Sequence, residues 1–309
     1  MSGPTALKES PRATATVRTW LWTPAPAERL AAVRILICVY CIVWMAAVVP
    51  ALVDLVDADH SRWHPVGVLA WFHAPPSRPA VFIILAVAFV AGAAFLVGAT
   101  GRVTGPVFAV AFLVVTTYRS SWGQIFHTDD LVAIQLLILA VAPATAAWSW
   151  DARRRAVPAA EPADGHYGFP LRLMSIVTVL TYLLAGWAKL RTSGLDWITG
   201  TLLRDQIAQD NLLKALYGAT TSPLAGTLLS HAWLFPPMAA FAVLVELGAP
   251  VALLGGRWRD VWVGAAWLFH LGILVLMTTF FPYQLSGVAY ASMFRAERLP
   301  RTLVAPFRR

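Results

Sequence analysis

Charge is scarce in this chain. Of its 309 residues, 13% are Asp, Glu, Lys or Arg and 58% are hydrophobic. That balance excludes a soluble globular domain, which carries about twice the charged fraction. Cysteine is scarcer still, with Cys38 and Cys41 the whole supply. They lie three apart on one face of an apolar helix with nothing polar around them. The reading as two small packing residues therefore outweighs that of a redox pair. No Walker or Rossmann glycine pattern occurs, and no internal repeat. His60, His64 and His73 do not have the spacing of a zinc site and read as interfacial, so no metal site is expected. No cleavable signal peptide is evident. Residues 1–19 are polar and rich in Ala, Thr, Ser and Pro, the composition of a disordered tail.

Lysine is the most telling shortage. Lys8, Lys189 and Lys214 stand alone among 24 basic residues, the rest being arginine. Arginine over lysine with abundant alanine is the composition of a GC-rich bacterial genome. Lys189 closes the apolar run from Leu173 to Leu190, inside Ala185-Gly186-Trp187-Ala188-Lys189-Leu190. An ammonium can lose its proton in an apolar site and a guanidinium in practice cannot. A lysine at membrane depth is costly and is a functional candidate by default. The competing reading is a snorkelling side chain whose head reaches the lipid–water boundary.

What the chain does have is apolar runs close to the 20 residues that cross about 30 Å of hydrocarbon. The pattern predicts an all-α, polytopic helical membrane protein of about eight segments, near 31–53, 80–99, 103–118, 130–147, 172–190, 236–255, 260–280 and 283–295. Arginine then sets the orientation. Lys8, Arg12, Arg18 and Arg29 precede the first segment, Arg102 follows the second, and Arg153, Arg154, Arg155 and Arg172 follow the fourth. Arg257 and Arg259 follow the sixth, and Arg295, Arg298, Arg301, Arg308 and Arg309 follow the eighth. All fall on one side of an eight-segment bundle, which places both termini in the cytoplasm. The net charge of +8 therefore reads as membrane orientation and not as nucleic-acid binding. Many of the 14 tryptophans fall at segment ends, as an aromatic belt requires. The predicted layout is a tail at 1–19, a membrane domain at 20–298 with its longest external piece at 191–235, and a basic cytoplasmic tail at 299–309. Residues 202–216 have the apolar spacing of an amphipathic surface helix.

On this topology Lys189 lies near the external end of the fifth segment, and His127, Asp129 and Asp130 at the external start of the fourth. Tyr118 and Arg119 end the third on the same side, and Glu246 and His270 sit mid-way along the sixth and seventh. Each has a plainer reading as well. His127-Thr128-Asp129-Asp130 also reads as a helix start, with Thr128 as cap and the acids favoured by the helix dipole. Glu246 also reads as a structural carboxylate between helices, and His270 as a packed histidine bonded to a carbonyl. The spacing does not suggest a Ser-His-Asp triad or a carboxylate-rich metal cage. It suits a buried base beside a hydrophobic acid such as a quinol, because a desolvated lysine can act as a general base.

Ala185-Gly186-x-x-Lys189-Leu190 followed by Gly194-x-x-Trp197-x-x-Gly200 resembles the lysine motif of the vitamin K-dependent gamma-carboxylase-like family, also called the horizontally transferred transmembrane (HTTM) domain. Trp122-Gly123-Gln124-Ile125-Phe126-His127, then Pro143 and Trp148-Ser149-Trp150-Asp151, resembles the family's fourth-helix region. Phe269-His270 with Phe281-Pro282-Tyr283 resembles its late helix pair. The likeness covers most of residues 15–298. It implies a membrane-embedded, quinol-dependent enzyme, a carboxylase-like lyase or monooxygenase, that modifies a peptide or small molecule at the external face. Vitamin K hydroquinone or menaquinol would be the cofactor, with carbon dioxide and oxygen as co-substrates. In the carboxylases the motif lysine deprotonates the hydroquinone, and the base generated after oxygenation takes the gamma proton of a peptide glutamate, whose carbanion captures carbon dioxide.

Carried over residue by residue, Lys189 is the base, and His270 and His127 join it as catalytic candidates. Tyr118, Trp122, Trp187 and Glu246 are the candidate cofactor-binding side chains. Membrane lipid, quinone and a secreted peptide are the implied partners, in a bacterial plasma membrane. Two departures bear on the reaction. The large external domain that presents glutamates in the animal enzymes is not expected after the last membrane segment, and Ala188 stands where they carry a second lysine. The same family includes a sporulation-delaying protein B type that helps mature a secreted peptide toxin. A non-enzymatic maturation or export factor, or a lipid- or quinone-binding structural protein, therefore stands beside the enzyme.

Overall fold

The computed structural model describes residues 11–155 and 163–299, and among them the chain is helical, with one isolated antiparallel bridge between Ala25 and Asp164. The helices are α1 (Pro11–Leu21), α2 (Ala27–Asp54), α3 (Arg78–Val97), α4 (Gly101–Ser120), α5 (His127–Val141), α6 (Trp150–Arg154), α7 (Gly165–Ser193), α8 (Thr201–Leu216), α9 (Ala225–Leu229), α10 (Phe235–Leu247), α11 (Gly256–Met277) and α12 (Pro282–Leu285). Among the described residues five stretches are long and apolar enough to cross a bilayer: Ala27–Asp57, Arg78–Val97, Gly101–Ser120, Gly165–Trp197 and Gly256–Met277. The chain is a polytopic helical membrane protein.

The polar ends of the bundle are built by the few charges available. One end gathers the arginines. Arg29 forms a two-pronged ion pair with Glu297 at 2.9 Å, which brings the two ends of the described bundle together. Arg34 is fully buried and donates to the carbonyls of Ala144 and Trp148 at 2.8 and 2.6 Å. Asp151 accepts from the amides of Thr100 and Gly101 at 2.8 and 2.7 Å, so a carboxylate caps the positive end of α4. Gly98 has φ +69°, and an added Cβ would lie 2.3 Å from that of Ser149. Only glycine allows the α3–α4 turn to press against the Trp148-Ser149-Trp150-Asp151 segment. At the opposite end, Arg119 pairs with buried Asp129 at 2.7 Å and lies over the Phe126 ring, while Trp122 packs edge to face on both Trp63 and Tyr118, which are tilted against each other.

Helices α2 to α5 pack as one group and α7, α10 and α11 as another, joined across α5–α7 and α2–α7. The expected amphipathic stretch 202–216 is α8, which buries Ile207 and Asn211 against α9, α10 and α11. The expected segments up to 260–280 all fall on helices, with ends that differ. Helix α5 stops at Val141 and the chain turns under Arg34, while α7 starts at Gly165, capped by Asp164, whose side chain accepts from the His166 amide at 2.7 Å.

The last expected segment, 283–295, is not a spanning helix. It is α12 followed by a turn at Gly287 and a 3₁₀ stretch, Val288–Met293. This irregular return runs back beside α11, with Phe281 against His270, Tyr290 against Trp262 and Met293 bonded to Arg259. Irregular backbone survives at membrane depth only when protein surrounds it and satisfies its carbonyls. Here the Ala289 carbonyl accepts from Gln135 and Thr178, that of Met293 from Arg259 and that of Leu285 from Trp267. Tyr283 and Tyr290 are buried, and the Tyr283 hydroxyl bonds to Gln135.

Two smaller expectations also change. Thr128 does not cap α5; Phe126 precedes the helix without a side-chain cap, and the Asp129 amide donates to its carbonyl. Residues 11–19, expected within a disordered tail, belong to α1. Its tryptophan end is held by the bundle, with Trp20 under the Arg172 guanidinium and Trp22, just beyond, stacked on Phe169. Residues 1–10, and the basic tail from 300 onward, lie outside the described residues.

Candidate functional site

The site is assembled where α7 and α10 touch. Gly186 makes the approach possible, because a Cβ there would sit 2.8 Å from the Cβ of Glu246 and 3.0 Å from Leu247. Lys189 follows three residues later on the same face of α7 and forms a hydrogen-bonded ion pair with Glu246. The Glu246 side chain is 4% exposed and that of Lys189 23%. The lysine therefore turns into the bundle and does not snorkel.

Two aromatic rings bound the amine. Its nitrogen is 5.2 Å from the Trp197 ring centre and 5.6 Å from that of Phe269. Trp197 arrives there because α7 ends at Ser193 and Gly194, with φ +57°, bends the chain into the 3₁₀ turn Gly194–Trp197. The second half of the lysine motif thus places a tryptophan back against its own lysine. Two polar atoms of this group are buried without a hydrogen-bond partner among the described residues, the Oε2 of Glu246 and the indole Nε1 of Trp197. One accepts and the other donates. Buried groups left in this state are uncommon and ask for an explanation. Beyond Phe269 an almost wholly apolar groove of about 270 Å³ opens between α8, α10 and α11, floored by Ile207, Ala242, Gly272 and Leu276.

The other candidates are placed as follows. His270 is buried on α11, with its Nδ1 donating to the Ala266 carbonyl at 2.8 Å and lying 3.3 Å from the Tyr182 hydroxyl, which bonds to Tyr290 at 2.6 Å. It is next in sequence to Phe269, yet it packs on Tyr182 and Phe281 and makes no hydrogen bond to the lysine. Trp187 is 59% exposed on the outside of α7, because two residues turn a helix by roughly 200° and point it away from Lys189. Tyr118 and Trp122 are buried in the aromatic group with Trp63, on α4 and just after it, and not against the ion pair. His127 begins α5; its side chain lies outside the described ones. Asp129 is committed to Arg119. Trp197 and Phe269 belong to the family-like motifs, but sequence reasoning assigns neither a role. The glycine at 194 is the available signal for Trp197, since it marks where the chain reverses.

The model of the HTTM domain matches residues 22–296. No curated protein and no solved structure gives a significant match to the chain. The matched span runs from just before α2 through the irregular return and includes both halves of the lysine motif, so the chain belongs to the HTTM domain family.

Proposed function

We propose that this protein is a membrane-embedded, quinol-dependent enzyme in which the Lys189–Glu246 pair handles the proton of a phenolic hydroxyl. The observation that carries the reading is the pair of unpartnered buried atoms beside Lys189, an acceptor on Glu246 and a donor on Trp197. A single hydroxyl offers both complementary functions. The apolar groove past Phe269 suits the hydrocarbon part of such a ligand. Stability does not account for the pair, because a buried ion pair is often matched or bettered by apolar residues of the same volume.

A quinol, when bound, supplies acidic hydroxyls and reducing equivalents. Glu246 holds Lys189 in place and shares one proton with it. With that proton on Glu246, Lys189 presents a neutral amine that accepts a phenolic proton at Nζ. Trp197 positions the oxygen through its indole N–H, and Trp197 and Phe269 keep water from the amine. The arginine-rich end faces the cytoplasm on the positive-inside rule, which puts the site in the external half and its substrate, a peptide or small molecule, on the external side of a bacterial plasma membrane.

Arginine at position 189 keeps the charge and cannot serve as a neutral base. Lys189→Arg should remove quinol oxidation under oxygen by purified protein in nanodiscs, a fall of at least the roughly 10²–10⁴-fold of a lost general base, with expression and folding near wild type. Glu246→Gln, which cannot take the shared proton from Lys189, should lower turnover less steeply. Equal turnover by wild type and Lys189→Arg would overturn the assignment, and is the result expected of a factor that only assists maturation or export of a secreted peptide.

A further inference from the structure

A second cavity lies at the arginine-rich end, about 25 Å along α7 from Lys189, counting 17 residues of helix from Arg172. It holds about 170 Å³ and is lined by Arg29, Arg172, Arg259 and Arg295, with no carboxylate in its wall. Two of the four are committed: Arg29 pairs with Glu297, and Arg259 pairs with Asp260 while donating to the Met293 carbonyl. The other two are not. Among the described residues Arg172 makes no ion pair, its guanidinium lying 4.7 Å over the Trp20 ring, and exposed Arg295 makes none either, its charge acting only at longer range on the Glu297 that Arg29 already holds. The cavity therefore carries a net positive surplus in a chain that is otherwise sparing with charge.

Its other walls say what kind of anion fits. Leu171, Leu253 and Phe294 are apolar, and the hydroxyls of Ser175 and Ser292 are bonded to each other at 3.1 Å, with Ser175 also donating to the Leu171 carbonyl, so the arginines carry the polarity of the wall. Gly255, which precedes α11 without a side-chain cap, also lines it, and an uncapped helix start favours negative charge. Trp20 and Trp22 sit beside it, as side chains do at the level of lipid headgroups.

We propose that this cavity binds a phosphate-bearing anion, presented as the headgroup of an anionic phospholipid of the arginine-side leaflet. Guanidinium groups match phosphate oxygens two at a time, and basic clefts between membrane helices on this side are suited to such headgroups. The site is separate from the Lys189 pair and does not depend on its chemistry.

The test uses the full-length protein in zwitterionic nanodiscs and native mass spectrometry. Wild type should retain phosphatidylglycerol over phosphatidylcholine, and Arg172→Gln combined with Arg295→Gln should weaken that retention by roughly tenfold or more, as expected on losing charge-assisted contacts. Arg102→Gln, an exposed arginine at the same end outside this cavity, should change nothing. Inorganic phosphate that competes with the lipid at millimolar concentration and loses its effect in the double variant would support the site with a free anion as its ligand. Equal retention of both lipids by wild type would overturn the proposal. So would equal losses in the Arg102 and Arg172 variants, which would mark a general surface effect. If the double variant does not fold, the wild-type competition decides alone.

Discussion

Lys189 stands out in the sequence because lysine is so rare here, and Glu246 because a carboxylate in an apolar run demands a partner. That they are partners is not legible there. The contact depends on how closely α7 approaches α10, which Gly186 sets by having no side chain. Gly186→Ala should therefore cost roughly 1–3 kcal/mol through overpacking, despite the better helix propensity of alanine, and should disturb the Lys189–Glu246 pair. The measurement is thermal unfolding in detergent; an unchanged or higher Tm would mean that the two helices part freely. Arg34, a charge within the first expected segment, is given no role by the sequence, because its acceptors lie more than a hundred residues away. Arg34→Met leaves the buried carbonyls of Ala144 and Trp148 without their donor, each at about 1–3 kcal/mol. It should lower stability more than Arg102→Gln, which changes an exposed side chain.

At the scale of elements, hydropathy locates the long helices well and fails where backbone chemistry decides. It carries the fourth and sixth segments past Val141 and Leu247, where the chain turns into shorter, hydrogen-bonded structure. It reads 283–295 as a helix because composition cannot show that Gln135, Thr178, Trp267 and Arg259 wait to receive that segment's carbonyls. Helix α8 is an instance of the same principle. Lys214 reaches the Met277 carbonyl, Thr279 at 3.2 Å and Asp210 at 2.8 Å, and Asn211 donates to the Leu276 carbonyl at 2.9 Å. Together they cap the end of α11, where the helix dipole favours a cation. Lys214→Met should cost about 1–2 kcal/mol and show as faster amide exchange over residues 274–280, with little change near Lys189. Uniform loss of protection along α11 would mean that α8 supports the whole helix and not its end.

For the whole molecule, the sorting of arginine to one end is legible from the sequence, and the structure gives it a physical form in the contacts of Arg29, Arg34, Arg155 and Arg259. Which compartment that end faces follows from the positive-inside rule and can be checked directly. In intact cells an impermeant maleimide should label Tyr217→Cys and should reach Arg153→Cys only after permeabilisation. Both positions are exposed, and Cys38 and Cys41 are fully buried and silent. The opposite pattern would invert the orientation. The irregular return beside α11 carries a consequence for biogenesis. A helix can leave the insertion machinery by itself, since its backbone is satisfied internally. Residues 281–297 have no such independence, and the groups that receive them belong to α2, α5, α7 and α11, all translated earlier. Insertion and completion are thus distinct events: the helices must first close around a slot, and the tail of the chain then seats itself from the arginine side. Resistance to protease should appear only after residues 281–297 have been synthesised, with a lag set by that seating.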